Sequence, residues 1–260
     1  MSNSFRKVLM SKIKTICNNN HEMTSKAVAD KVVEIFKEYP AGLYCFAGGD
    51  TPVRAYEYLV NYHREGIIDL TKAYFVELDE WIGLDEKNMG SCCSYLKRNL
   101  FNKINIPENH IHFFDALAQD LNKQCQDANE FIISHNGITC SLLGVGVNGH
   151  LGFNEPGVDF NQNAHIIDLS AVTVNVGQKY FVETENVPGK GITLGIKQLL
   201  ASKYLLLEAT GESKQKAITE LQKGKVNQDW PVTCANLHEN CYLFIDEKVL
   251  ERKEKGKKKC

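Results

Sequence analysis

The stretch "FVELDEWIGL", residues 75 to 84, ends an apolar run on two adjacent carboxylates, Asp79 and Glu80. Successive strand residues point to opposite sides, so only one of the two is expected to face a crevice beyond the strand end. A crevice carboxylate beside apolar Trp81 would have the raised pKa that a proton shuttle needs. A solvated pair opening a loop is the plainer alternative.

A second group lies in "GVGVNGHLGFNEPG", residues 144 to 157. His150 and Glu155 are close enough in sequence to form a base and the carboxylate that orients it. Gly149 and Gly152 supply tight turns that ordinary surface loops rarely need. The glycines Gly144, Gly146 and Gly149 resemble a dinucleotide turn only superficially, because Asn148 and His150 stand where a helix should start. No organic cofactor is expected.

The third is "GLYCFAGGDTP", residues 42 to 52. A buried strand, Leu43 to Ala47, turns through Gly48, Gly49 and Asp50 into Thr51 and Pro52, read as the cap and first-turn proline of a helix. Free backbone N–H groups and a helix dipole favour phosphate at such a turn. Asp50 has the wrong charge for that role.

These segments must be positioned by alternating elements. Helices are predicted near Met23 to Lys37, Pro52 to His63, Ser91 to Phe101, within Asp115 to His135, near Ile192 to Ala201 and over Glu212 to Gln222. Strands are predicted at Leu43 to Ala47, Ala73 to Leu78, Thr139 to Leu143, Tyr204 to Glu208 and Cys241 to Ile245. The alternation implies an α/β fold, a single domain over residues 1–250 with a mainly parallel sheet covered by helices on both faces. Chemistry then belongs at the carboxyl ends of the strands, where the three segments can meet.

The composition agrees with a small-molecule site. The chain has 260 residues, 43% hydrophobic and 24% charged, and its 30 basic and 32 acidic residues leave a net charge of −2. No concentrated positive charge suits nucleic acid or a membrane surface. The longest apolar runs are strand-sized, and "MSNSFRKVLMSKIKTICNNN" is too polar for a signal peptide, so a cytoplasmic protein is expected. Nine cysteines include no C-x-x-C pair, and several sit inside apolar strand runs. Reduced, structural thiols are expected, with no metal. The ending "ERKEKGKKKC", residues 251–260, reads as a basic disordered tail.

The motifs "LDEWIGL", "GVGVNGHLGFNEPG", "GITLGIKQLL" and "GESKQKAI" together resemble the glucosamine-6-phosphate and galactosamine-6-phosphate deaminase/isomerase family, with wording closest to the galactosamine-6-phosphate branch. The resemblance runs from about the first strand to the last. It implies the Rossmann-like fold shared with 6-phosphogluconolactonases. The activity implied is isomerisation of a hexosamine 6-phosphate with loss of ammonia, giving a ketohexose 6-phosphate without metal or cofactor. Asp79 matches the base that moves a proton between C2 and C1, His150 the group that opens the ring, and Glu155 the carboxylate that orients it. Asn148 takes a position that is aspartate in some members; as a neutral hydrogen-bond partner of His150 it should favour the imidazolium less.

The phosphate end departs from the family. Asp50 interrupts the loop of Gly48, Gly49 and Thr51, and no arginine stands near Val172 and Val174, where the family usually has one. Lys216 matches the family's phosphate lysine. In the favoured account Asp50 turns away to bond backbone N–H groups, and Arg54 or Lys190 replaces the arginine. The alternatives are an unphosphorylated amino sugar as substrate, a 6-phosphogluconolactonase-like hydrolase, and a non-catalytic sugar-phosphate-binding regulator. His165 is the only potentially cationic side chain in "GVDFNQNAHII", so activation by an N-acetylated sugar phosphate is not expected. A homo-oligomer is compatible with this reading.

Overall fold

The computed structural model describes residues 13–181 and 186–250. The tail at 251–260 and the first residues of the expected domain therefore lie outside the described residues. The first half of the chain forms β1 (Lys14–Asn18), α1 (His21–Glu38), β2 (Leu43–Phe46), α2 (Val53–Arg64), β3 (Tyr74–Glu77), β4 (Asp79–Trp81), α3 (Cys92–Leu96), α4 (Asn102–Ile104), β5 (Ile111–His112) and α5 (Leu121–Ser134). The second half forms β6 (Cys140–Gly144), β7 (His165–Asp168), α6 (Ala171–Gly177), β8 (Lys190–Thr193), α7 (Ile196–Leu200), β9 (Tyr204–Ala209), α8 (Gln215–Gln222), β10 (Cys241–Asp246) and α9 (Glu247–Leu250).

Seven strands make one parallel sheet in the order β1-β10-β9-β6-β2-β3-β5. Each central strand is apolar on both sides because helices cover both faces. In β2, Leu43 and Cys45 pack with α5, α7 and α8 residues such as Ala128, Leu199 and Ile218, while Tyr44 and Phe46 pack with Val32, Tyr56 and Leu59 of α1 and α2. The same alternation places Leu205 and Leu207 of β9 on one side and Leu206 on the other. The described cysteines are free and, apart from Cys17, buried.

The chain winds one way from β2 to β3 and β5, and the other way from β6 to β9 and β10, so β2 and β6 flank the switch point. Loops leaving their carboxyl ends must diverge there, which opens a crevice. Glycine-rich segments follow both strands.

One expected element is different. A helix over Ile192 to Ala201 is replaced by β8, which pairs antiparallel with both β4 and β7 in a separate three-stranded sheet, and by the short α7. Gly195 divides them; a Cβ there would lie 2.1 Å from the Gln162 carbonyl oxygen. Its N–H is held by the Gln198 side chain at 2.9 Å, which starts α7. Pairing on both edges of Gly191-Ile192-Thr193 outweighs the helical spacing of the apolar residues.

Candidate active site

Asp79 opens β4, where the backbone leaves the parallel sheet for the antiparallel one. It is buried and borders the cleft beyond β2 and β6. Burial, then the charge of Glu80, pushes its carboxyl up to about 8, against a hydrogen bond from the Cys92 side chain. Glu80 faces the other way. Its carboxylate accepts from the backbone N–H groups of Trp81 at 2.7 Å, Cys92 at 2.9 Å and Cys93 at 2.9 Å, and from Ser91 Oγ at 2.6 Å. Two of those N–H groups open α3, so Glu80 anchors the start of that helix. The adjacent acids thus divide into a cleft carboxyl and a structural one.

The loop after β6 starts no helix and instead turns back on itself. Gly146 accepts from the N–H of Gly149 at 3.0 Å and donates to the His150 carbonyl at 2.9 Å. Gly149 has φ +82°, a left-handed conformation that favours glycine. His150 borders the cleft. Its Nδ1 shares a hydrogen bond with Thr173 Oγ1 at 3.2 Å and lies 3.9 Å from Glu155 Oε2. Burial pushes the imidazole down to about 4, with Glu155 opposing the fall and Lys214 adding to it. The ring is therefore neutral near pH 7.

Glu155 is fixed by Ser170, whose N–H and Oγ approach Oε1 at 3.1 and 3.2 Å, and by Asn148 Nδ2 on Oε2 at 2.9 Å. Asn148 does not serve the imidazole ring as expected. Its Oδ1 accepts from the His150 backbone N–H at 3.3 Å, so it braces the loop and Glu155, while the ring partner is Thr173. Thr173 lies on α6, between the Val172 and Val174 noted for the missing arginine, and its own contact with the imidazole had no sequence signal.

The far end of the cleft is lined by Gly48, Gly49, Asp50 and Thr51 together with Lys179 and Lys214. Thr51 is not the cap of α2; Pro52 takes the N-cap position without a side-chain cap bond. The Thr51 side chain instead packs over Gly144, where an added Cβ would lie 3.2 Å from Thr51 Cβ. Asp50 does not bond backbone N–H groups. It pairs with Lys179 Nζ at 2.6 Å and accepts from Tyr95 Oη at 3.0 Å.

The cations also differ from expectation. Arg54 pairs with Glu22 at 2.6 Å and Lys190 with Asp168 at 3.5 Å, and neither borders the cleft. Lys216 Nζ sits 5.0 Å over the Trp230 ring, while Lys214 lines the cleft. Residues two apart at a helix start point to different sides, so a shift of two positions exchanges an inward lysine for an outward one. Burial, then the charge of Lys179, pushes Lys214 down to about 8. Among the described residues no three His, Cys, Asp or Glu side chains gather as a metal-ligand set, and no helix is long and apolar enough to cross a membrane.

Known proteins are similar to this chain in sequence and fold. The family model for glucosamine-6-phosphate isomerases and 6-phosphogluconolactonases matches residues 18–243. A glucosamine-6-phosphate deaminase of Alkaliphilus oremlandii is 36% identical over 230 residues, covering 88% of this chain and 95% of the relative. One of Clostridium botulinum is 33% identical over 237 residues, covering 91% and 97%. The solved structure of a monomeric glucosamine-6-phosphate deaminase superposes with a TM-score of 0.88 at 30% identity, covering 92% of this chain and 99% of that one. The 6-phosphogluconolactonase of Trypanosoma brucei shares the fold, with a TM-score of 0.73 at 18% identity and coverage of 92% and 98%. With the match running through nearly the whole described chain, this protein belongs to the glucosamine-6-phosphate isomerase/6-phosphogluconolactonase family.

Proposed function

We propose that the protein isomerises and deaminates a hexosamine 6-phosphate, releasing ammonia and a ketohexose 6-phosphate. The observation that carries this reading is one cleft with a raised carboxyl, Asp79, and a neutral histidine, His150, above a lysine-bearing loop end. His150 takes and returns the proton that opens the pyranose ring. Glu155 stabilises the imidazolium formed in that step, and Thr173 and Gly146 fix the ring position. Asp79 then moves a proton between C2 and C1 next to the iminium or carbonyl carbon, a task for one positioned base. The phosphate lies against Gly48, Gly49 and Thr51, with the half-buried Lys214 as its cation.

Relatives named glucosamine-6-phosphate deaminase favour an amino sugar phosphate over a lactone. The two epimers at C4 belong to one substrate class, and the galactosamine-like motif wording makes both worth offering. We place the reaction in the cytoplasm, where buried free thiols stay reduced.

Ammonia release should be measured from galactosamine 6-phosphate, glucosamine 6-phosphate and both unphosphorylated amines, with Asp79→Asn as the blank. Turnover of a phosphorylated sugar supports the reading. Turnover confined to the free amines, or acid release from 6-phosphogluconolactone alone, overturns it.

A further inference from the structure

Asp50 is the one acid on the loop that would hold the phosphate, and it is fully engaged. Its carboxylate takes Lys179 Nζ at 2.6 Å and the Tyr95 hydroxyl at 3.0 Å, and its own N–H donates to the Tyr180 hydroxyl at 3.2 Å. Lys179, Tyr95 and Tyr180 all border the cleft, as does Lys214. Asp50 thereby straps the loop after β2 to α3, which carries Tyr95, and to the turn after α6, which carries Lys179 and Tyr180.

The two lysines are not equivalent. Among the described residues Lys214 forms no ion pair, whereas Lys179 is held by Asp50. The Asp50 and Lys179 side chains are 53% and 49% exposed, so their attraction is screened and easily exchanged. An incoming dianion offers Lys179 more charge than one carboxylate does, and Lys214 borders the same cleft.

We propose that Asp50 is a specificity-determining residue: it occupies Lys179 in the free protein as an internal substitute for phosphate, and substrate must displace it. This rests on the reading of the cleft as a sugar-phosphate site. Two consequences follow from the exchange. Weakly charged or small anions compete poorly for Lys179, and full occupancy needs a ligand anchored elsewhere in the cleft. The acid on the phosphate loop then raises the threshold for binding without abolishing it.

The test is calorimetric titration of the full chain with inorganic phosphate, for the parent, Asp50→Asn, Asp50→Ser, Lys179→Met and the double variant Asp50→Asn/Lys179→Met. Removing the screened competitor should tighten phosphate roughly fivefold in both Asp50 variants. That gain should vanish in the Lys179→Met background. KM for hexosamine 6-phosphate should fall in parallel with little change in kcat. Phosphate affinity that is unchanged or weaker in both Asp50 variants overturns the inference while leaving the deaminase reading intact. So does a gain that persists without Lys179. No phosphate binding by any variant, together with turnover of unphosphorylated amines alone, overturns both.

Discussion

Adding a single methyl group at Gly146 tests the placement of His150 without changing any charge. A Cβ at Gly146 would lie 2.3, 2.4 and 2.5 Å from Cδ2, Nε2 and Cγ of the His150 ring. Carbon contacts settle near 3.5 Å, so in Gly146→Ala the ring must retreat by about 1 Å. The His150 to Thr173 bond is already 3.2 Å long, and a further ångström breaks it. Losing that bond costs about 0.5–1.5 kcal/mol, up to tenfold in rate. Displacement of a catalytic group by about 1 Å can cost 100-fold by itself, so the larger effect sets the expectation. The predicted result is a kcat for ammonia release down about 100-fold with KM nearly unchanged. Denaturant unfolding should shift by no more than about 3 kcal/mol, the usual range for overpacking, because the ring borders the open cleft and can swing into it. Gly189→Ala is the control, since a Cβ there meets nothing within 4 Å. A folded Gly146→Ala protein with kcat within threefold of the parent would refute the role given to the ring.

The remaining predictions concern the buried acids. Because the Asp79 carboxyl is pushed up to about 8, kcat/KM should rise with pH through a limb near that value, above the lower limb that His150 gives; a profile already flat between pH 6 and 8 would show that another group is the base. Glu80→Gln presents an amide NH₂ to a site where three of the four partners are backbone N–H donors and loses about two charge-assisted bonds, so unfolding measurements should show a loss of about 3–6 kcal/mol, and a near-neutral effect would remove its anchoring role. Burial pushes Glu208 from its ordinary 4.5 up to about 8, despite a bond from Ser25 Oγ at 2.6 Å. The folded state therefore holds this proton more tightly. Its stabilising contribution is full below pH 4.5 and is lost as pH rises through 8, at most about 1.4 kcal/mol per pH unit. Glu208→Gln should flatten that decline in unfolding curves collected from pH 5 to 9, and an unchanged slope would count against it.

Elements with local signals can be read from the chain alone. Leu43 to Ala47, Thr139 to Leu143 and Cys241 to Ile245 read as strands because a parallel sheet covered on both faces demands continuous apolar runs. That Asp79 and His150 border a crevice was legible because each follows such a run at a carboxyl end, where loops carry polar groups outward. Alternation along a strand showed that Asp79 and Glu80 must part. It did not say which faces the cleft, since that depends on β4 pairing with β8, a strand whose apolar spacing imitates a helix.

The partners of these residues come from the fold. Thr173 reaches His150 from 23 residues away, and Tyr180 reaches Asp50 from 130, so no window of sequence contains either pair. Lys214 rather than Lys216 faces the cleft because the turn before α8 begins at Glu212, and a two-residue change in helical phase reverses the direction of a side chain. The charge on Asp50 was plain in the sequence. Its meaning was not, because an acid beside phosphate is unfavourable alone and acceptable once Lys179 and Tyr95 are folded against it.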